Sequence, residues 1–229
     1  NEKIYIWYGF LTLLAYAFSL LKIKIISLAF LAASGVSVFY ILFFSEIGLL
    51  AVCAALSIPL IIFSGRHISW DVESFEIQGY FDWINNTRGA YWDYSKLPTM
   101  LYGTTFTSGS LIRRGFYGLT LVALAASITP FISVRKNKPH WGIYLCLAFV
   151  FTNTLSGLWD YGKGDILATS YLLIAYYFAI KLSEEGHSDK PIRLLGFILF
   201  SCLSMASKMY AIFYIAPLAL ALITEEFNN

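Results

Sequence analysis

Five carboxylates, Asp71, Glu73, Glu76, Asp82 and Asp93, crowd the stretch between Arg66 and Arg114 and alternate with large aromatics such as Trp70, Phe75, Tyr80, Phe81, Trp83 and Trp92. Asp71 stands a few residues beyond an apolar run, where a side chain can meet both lipid and water. A carboxylate in that position can take a proton from an acceptor hydroxyl or help to hold a divalent cation. It can also do no more than cap the helix that follows. Glu73 and Glu76, three apart, share a face if the segment is helical; solvated surface acids are the competing reading. Asp82 and Asp93 are flanked by aromatics that serve equally well as anchors.

A second cluster is Trp159-Asp160-Tyr161-Gly162-Lys163-Gly164-Asp165, a tight loop with two acids, a base and two glycines. Asp165 opens the next apolar run, so it is either a helix cap or a second carboxylate facing Asp71 across a cavity. The third set is basic. Arg113 and Arg114 stand at the start of an apolar run, and Lys208 interrupts one. An ionisable residue inside a membrane segment is costly and marks a functional candidate, although long side chains at helix ends also snorkel to the interface. If these three cations meet one cavity they make a phosphate site, with Arg suited to bidentate contact and Lys to a point charge. His67, His140 and His187 are scattered and show no metal-ligand spacing, and no nucleophile elbow, P-loop or dinucleotide-binding glycine pattern occurs.

The elements that must position these groups are hydrocarbon. The chain has 229 residues, 58% of them hydrophobic and 13% charged, with a mean hydropathy of +0.66. A soluble domain carries about 25% charged residues, so the composition is that of an integral membrane protein. The formal net charge of +2 and the lack of a basic run give no sign of nucleic acid. Cys53, Cys146 and Cys202 lie far apart in apolar sequence, which suits small buried hydrophobes and neither a disulfide framework nor zinc.

A bilayer core of about 30 Å takes about 20 apolar residues of helix. The spacing predicts spans over Ile4–Leu21, Ile25–Phe44, Ile47–Phe63, Gly115–Val134, Trp141–Leu158 and Ile166–Ile180. The run Leu194–Ile223 is too long for one span, and Lys208 divides it into two short helices. The fold expected is therefore all-α, a polytopic transmembrane bundle of about eight membrane segments. Three amino-terminal helices occupy residues 1–64, an external loop with interfacial helices occupies 65–114, and the remaining helices occupy 115–229. Within the loop, Asp71 to Ile84 reads as a helix lying on the membrane, Asn85–Gly89 as a turn, and Pro98 with Gly103–Ser110 as a loosened return to the bilayer.

The basic turn Arg135-Lys136-Asn137-Lys138 marks a cytoplasmic side. Parity then places Lys181–Arg193 on that side, and Arg66–Arg114, Trp159–Asp165 and Lys208 outside. Of the 16 Lys and Arg, seven fall inside and nine outside, so the external cations Lys22, Lys24, Arg113 and Arg114 need a reason to be there.

Asp71-Val72-Glu73-Ser74-Phe75-Glu76-Ile77 followed by Asp82-Trp83-Ile84-Asn85-Asn86 resembles the first external loop of the GT-C superfamily of membrane glycosyltransferases. The order downstream is similar too: an Arg at the next span, a basic cytoplasmic turn, an Asp in the second external loop, and a helix from Gly196-Phe197 to Met205-Ala206-Ser207-Lys208-Met209-Tyr210. The resemblance covers roughly Ser64 to Ile223. It implies a GT-C-like fold and sugar transfer from a polyprenyl-phosphate-type donor at the external face of a bacterial inner or plasma membrane, the chain being the amino-terminal membrane part. Asp71 would be the catalytic base and Asp165 the second-loop acid, with Asp160 as its substitute. Arg113 or Arg114 and Lys208 would meet the lipid-linked phosphate. Glu73 and Glu76, beside Asp71 in the sequence, are candidate substrate-binding residues on their own account. Some members require a divalent cation. The partners implied are the lipid-linked donor, membrane lipids and further proteins. The competing readings are a non-catalytic membrane subunit of the same architecture and a polysaccharide polymerase or ligase. A transporter fits less well, because the ionisable residues gather at one face and leave no relay across the bilayer.

Overall fold

The computed structural model of the protein describes residues 2–43, 96–108, 110–133, 165–183 and 189–228. Among these residues every regular element is helical: α1 (Glu2–Leu20), α2 (Lys24–Phe43), α3 (Lys96–Phe106), α4 (Ser110–Ser133), α5 (Asp165–Ser183), α6 (Lys190–Ser207), a 3-10 turn (Met209–Ala211) and α7 (Ile212–Asn228). Four helices are long and apolar enough to cross a membrane: Glu2–Leu20, Lys24–Ile41, Ile166–Ser183 and Lys190–Ser207. By length and composition these helices mark a membrane protein. The expected spans Ile47–Phe63 and Trp141–Leu158, the surface helix Asp71–Ile84, the turn Asn85–Gly89, and Asp82 and Asp93 lie outside the described residues.

The helices are apolar outward and hydroxyl-bearing inward. Trp7, Leu13, Leu14, Ile25 and Phe213 are exposed, while Thr12, Ser19, Ser27, Ser34, Ser170 and Ser204 are buried. In lipid, apolar packing alone does not drive helices together, so small residues and short polar contacts set the interfaces. The hydroxyls find partners close by. Thr12 donates to the carbonyl of Tyr8 at 3.0 Å and Ser170 to that of Ile166 at 2.8 Å, each one turn back. Ser27 reaches across to the Ala15 carbonyl at 2.7 Å and ties α2 to α1. A second contact, the stacked rings of Phe18 and Phe30, lies at 5.4 Å between centroids.

Glycines let three helices approach closely. A Cβ on Gly196 of α6 would lie 2.6 Å from the Phe178 ring of α5, and one on Gly9 of α1 would lie 2.7 Å from Leu199 of α6. The space between holds an aromatic cluster. Tyr8, Tyr171, Phe178 and Phe200 are all within about 6 Å of a neighbouring ring, with Tyr5 beside Tyr177 at 5.8 Å.

Helix directions follow from these contacts. Ser204 near the end of α6 donates to Ala168 near the start of α5 at 2.8 Å, so the two are antiparallel. Tyr5 near the start of α1 reaches Ala126, late in α4. Arg193 in the first turn of α6 meets Glu2, the first residue of α1, and the Lys181 carbonyl at the end of α5. One end of the bundle therefore gathers the start of α1, the ends of α4 and α5 and the start of α6.

Two expectations are corrected. The segment Gly103–Ser110 is not irregular throughout, because α3 runs through Phe106 and α4 begins at Ser110. Its hydroxyls bond back onto their own helix, Thr104 to Met100 at 3.0 Å and Thr107 to Gly103 at 3.0 Å, so they do not compete with helical pairing. Pro98 sits in the first turn of α3, where no intrahelical donor is lost. Moreover, α3 is enclosed by the bundle, with Leu97, Met100, Leu101, Thr104 and Thr105 all buried. The second correction concerns α4, which begins at Ser110, so Arg113 and Arg114 lie inside a helix that starts one turn earlier than their sequence position suggests.

Candidate functional site

Lys208 is the candidate residue that the structure describes most fully. The apolar run from Leu194 to Ile223 is divided there, as its charge predicts. Lys208 has extended backbone (φ −157°, ψ 118°) between α6 and the 3-10 turn. Its N–H donates to the Ser204 carbonyl at 2.9 Å and closes α6; its own carbonyl accepts the Ala211 N–H at 3.0 Å and opens the next turn. The break thus leaves both Lys208 backbone groups paired, which a membrane demands. The ammonium sits 5.7 Å from the centre of the Tyr210 ring, a cation–π contact.

Ser201, Ser204 and Ser207 precede the break at every third position. Ser204 holds the Ala168 carbonyl of α5. Among the described residues Ser201 and Ser207 are buried and their hydroxyls have no hydrogen-bond partner. The three-residue hydroxyl spacing in an otherwise apolar run is the sequence signal that would have singled them out.

The other candidates divide by where they lie. Asp71, Glu73, Glu76 and Asp160 are outside the described residues. Asp165 is the first residue of α5, and Arg113 and Arg114 fall within the first five residues of α4. The Ser204–Ala168 contact puts the start of α5 at the Lys208 end of α6. The start of α4 belongs to the same end, since the end of α4 lies with Glu2 and Arg193 at the other. Backbone positions 113, 114, 165 and 208 therefore share one end of the bundle. Among the described residues no three His, Cys, Asp or Glu side chains come together.

That end also contains the turn between α1 and α2. Ile23 N–H bonds to the Phe18 carbonyl at 2.9 Å and Lys22 N–H to that of Ser19 at 3.0 Å, the paired bonds of a Schellman cap, with Lys22 in the left-handed conformation at φ 61°. Lys24 donates from Nζ to the carbonyl of Thr107, just past the end of α3.

The sequence reading places Arg193 in a cytoplasmic loop. It lies instead inside α6, buried, with Nε 3.2 Å from Glu2 Oε2 and Nη1 2.7 Å from the Lys181 carbonyl. Nothing in the local sequence signals this pair, because 191 positions separate its partners.

No protein-family model matches the chain, no curated protein matches it, and no solved structure does.

Proposed function

We propose that the protein is a membrane glycosyltransferase of GT-C type that moves a sugar from a polyprenyl-phosphate-type lipid to an acceptor at the external membrane face. The observation that carries this reading is the gathering of positions 113, 114, 165 and 208 at one end of the bundle, with Lys208 at a break between helices. In the proposed reaction Asp71 takes the proton of an acceptor hydroxyl, and the oxygen bonds to the anomeric carbon as the bond to the phosphate oxygen breaks. The electron pair leaves with the lipid phosphate, and Arg113, Arg114 and Lys208 neutralise it. Fixed cations in a partly dry site stabilise such a leaving group better than water does, because they need no reorganisation. The reading also accounts for cations on the side of a membrane protein where they are disfavoured. Asp165, with Asp160 near it in sequence, supplies the second acid, and Glu73 and Glu76 contribute to substrate binding.

The test is transfer of sugar from a lipid-phosphate donor by the protein in lipid nanodiscs. Asp71→Asn is expected to reduce the rate by at least about a hundredfold, the usual scale of a general base. Undiminished transfer would remove Asp71 from the mechanism.

A further inference from the structure

Parity of the expected spans puts the cations of the α1–α2 turn on the side that the positive-inside rule disfavours, and Lys24 has a specific partner there. At the carboxyl end of α3 the hydroxyls of Thr107 and Ser108 turn back onto the last carbonyls of the helix. The Gly103 carbonyl accepts Thr107 N–H at 3.1 Å and Thr107 Oγ1 at 3.0 Å. The Thr104 carbonyl accepts Ser108 Oγ at 2.6 Å and Thr107 Oγ1 at 3.1 Å, and the Thr105 carbonyl accepts Ser108 N–H at 3.1 Å. The Thr107 carbonyl takes its donor from outside the corner, the Lys24 ammonium. A cation on the last carbonyls of a helix also meets the negative end of its dipole.

Beside this contact, Ser19 Oγ donates to the Met100 carbonyl at 2.9 Å and lies 2.5 Å from Thr104 Oγ1. Ser19 and Lys24 flank the Schellman turn, whose backbone is itself set by two hydrogen bonds. The turn thus meets α3 at two points, Ser19 on the body of the helix and Lys24 on the carbonyl just past its end. Arg113 and Arg114 follow the corner within the first five residues of α4.

We infer that Lys24, with Ser19 beside it, is a positioning residue that pins the carboxyl end of α3 and thereby sets where the start of α4, with backbone positions 113 and 114, is held. What the two arginines do rests on the glycosyl-transfer reading; the pinning of the corner does not. The side chain acts through the Thr107 carbonyl, so the requirement is for a donor of the right length.

The experiment uses the full chain in nanodiscs with Cys53, Cys146 and Cys202 replaced by serine, and spin labels at Leu21 and Ile112, both exposed. The distance distribution between them is read for the parent, Lys24→Met, Lys24→Arg and Ser19→Ala, alongside binding of polyprenyl phosphate. Lys24→Met should broaden a single narrow distribution and weaken binding about tenfold, the scale of one charge-assisted hydrogen bond. Lys24→Arg should restore both, and Ser19→Ala should broaden the distribution with a smaller loss of binding. An unchanged distribution in both Lys24→Met and Ser19→Ala overturns the inference. So does weakened binding at an unchanged distance, which would make Lys24 a direct ligand. A parent that binds no polyprenyl phosphate while Lys24→Met still broadens the distance removes the glycosyl-transfer reading and leaves the pinned corner standing.

Discussion

The phenol of Tyr5 donates to the carbonyl of Ala126 at 3.0 Å, the carbonyl that Pro130, four residues on, leaves without its helical donor. Thr129 Oγ1 shares that carbonyl at 2.8 Å and lies 3.1 Å from the phenol. A defect in α4 is thus repaired by α1, a helix more than 100 residues earlier.

Tyr5→Phe should lower unfolding stability in mixed micelles by about 1 kcal/mol, the ordinary net value of one hydrogen bond, since Thr129 still serves the carbonyl. Pro130→Ala supplies a backbone donor instead. The double variant should therefore lose less than the sum of the two single changes, and strict additivity would show that the two sites are not coupled.

Glu2→Gln leaves the buried Arg193 guanidinium without its counter-charge. The carboxylate is partly solvated, so the cost should fall below the roughly 3–5 kcal/mol of a fully buried pair. Arg193→Met combined with Glu2→Gln should recover part of the loss. Equal unfolding of Glu2→Gln and the parent would mean that solvent replaces the carboxylate without penalty.

Gly196→Ala places a methyl against the edge of Phe178 and should destabilise by about 1–3 kcal/mol, the range for overpacking. Gly115→Ala is the internal control. A Cβ there meets nothing within 4 Å, and alanine in a helix gains about 0.5–1 kcal/mol over glycine. Opposite signs for the two substitutions in the same unfolding assay are the expected outcome.

Lys22→Gly should stabilise the α1–α2 turn by roughly 1 kcal/mol, because glycine adopts the left-handed cap conformation without a Cβ clash. A lower unfolding midpoint for this variant would show that the lysine side chain outweighs its backbone strain.

If the protein transfers sugar as proposed, Lys208→Gln should reduce that transfer at least about tenfold, the scale of one charge at a developing phosphate, while stability changes by less than about 1 kcal/mol. The helix break depends on backbone bonds from Lys208 to Ser204 and Ala211, which the substitution leaves in place. Loss of fold without specific loss of transfer would make the lysine structural.

Much of the helical layout was legible from composition and periodicity. An apolar run must pair its backbone internally in a membrane, so the spans near Ile4–Leu21, Ile25–Phe44 and Ile166–Ile180 appear within a few residues of where hydropathy places them. The division at Lys208 was legible for the same reason, a charge in hydrocarbon being costly enough to interrupt a run. The helix Lys96–Phe106 was not, because Thr and Gly read as loop residues unless their hydroxyls bond back onto the helix, and only packing shows that they do.

What the sequence by itself determined is the chemistry available: helices that are apolar outside, a small set of ionisable residues, and the points where those residues break or border the helices. The tertiary structure alone decided which of them meet. Glu2 finds Arg193, Lys24 finds Thr107, and Tyr5 finds the carbonyl that Pro130 exposes. Each pairing joins residues more than 80 positions apart, and each is set by how helix ends align once small residues such as Gly9 and Gly196 let the helices close on one another. Spacing along the chain describes one helix at a time, whereas these contacts depend on the direction and depth of two.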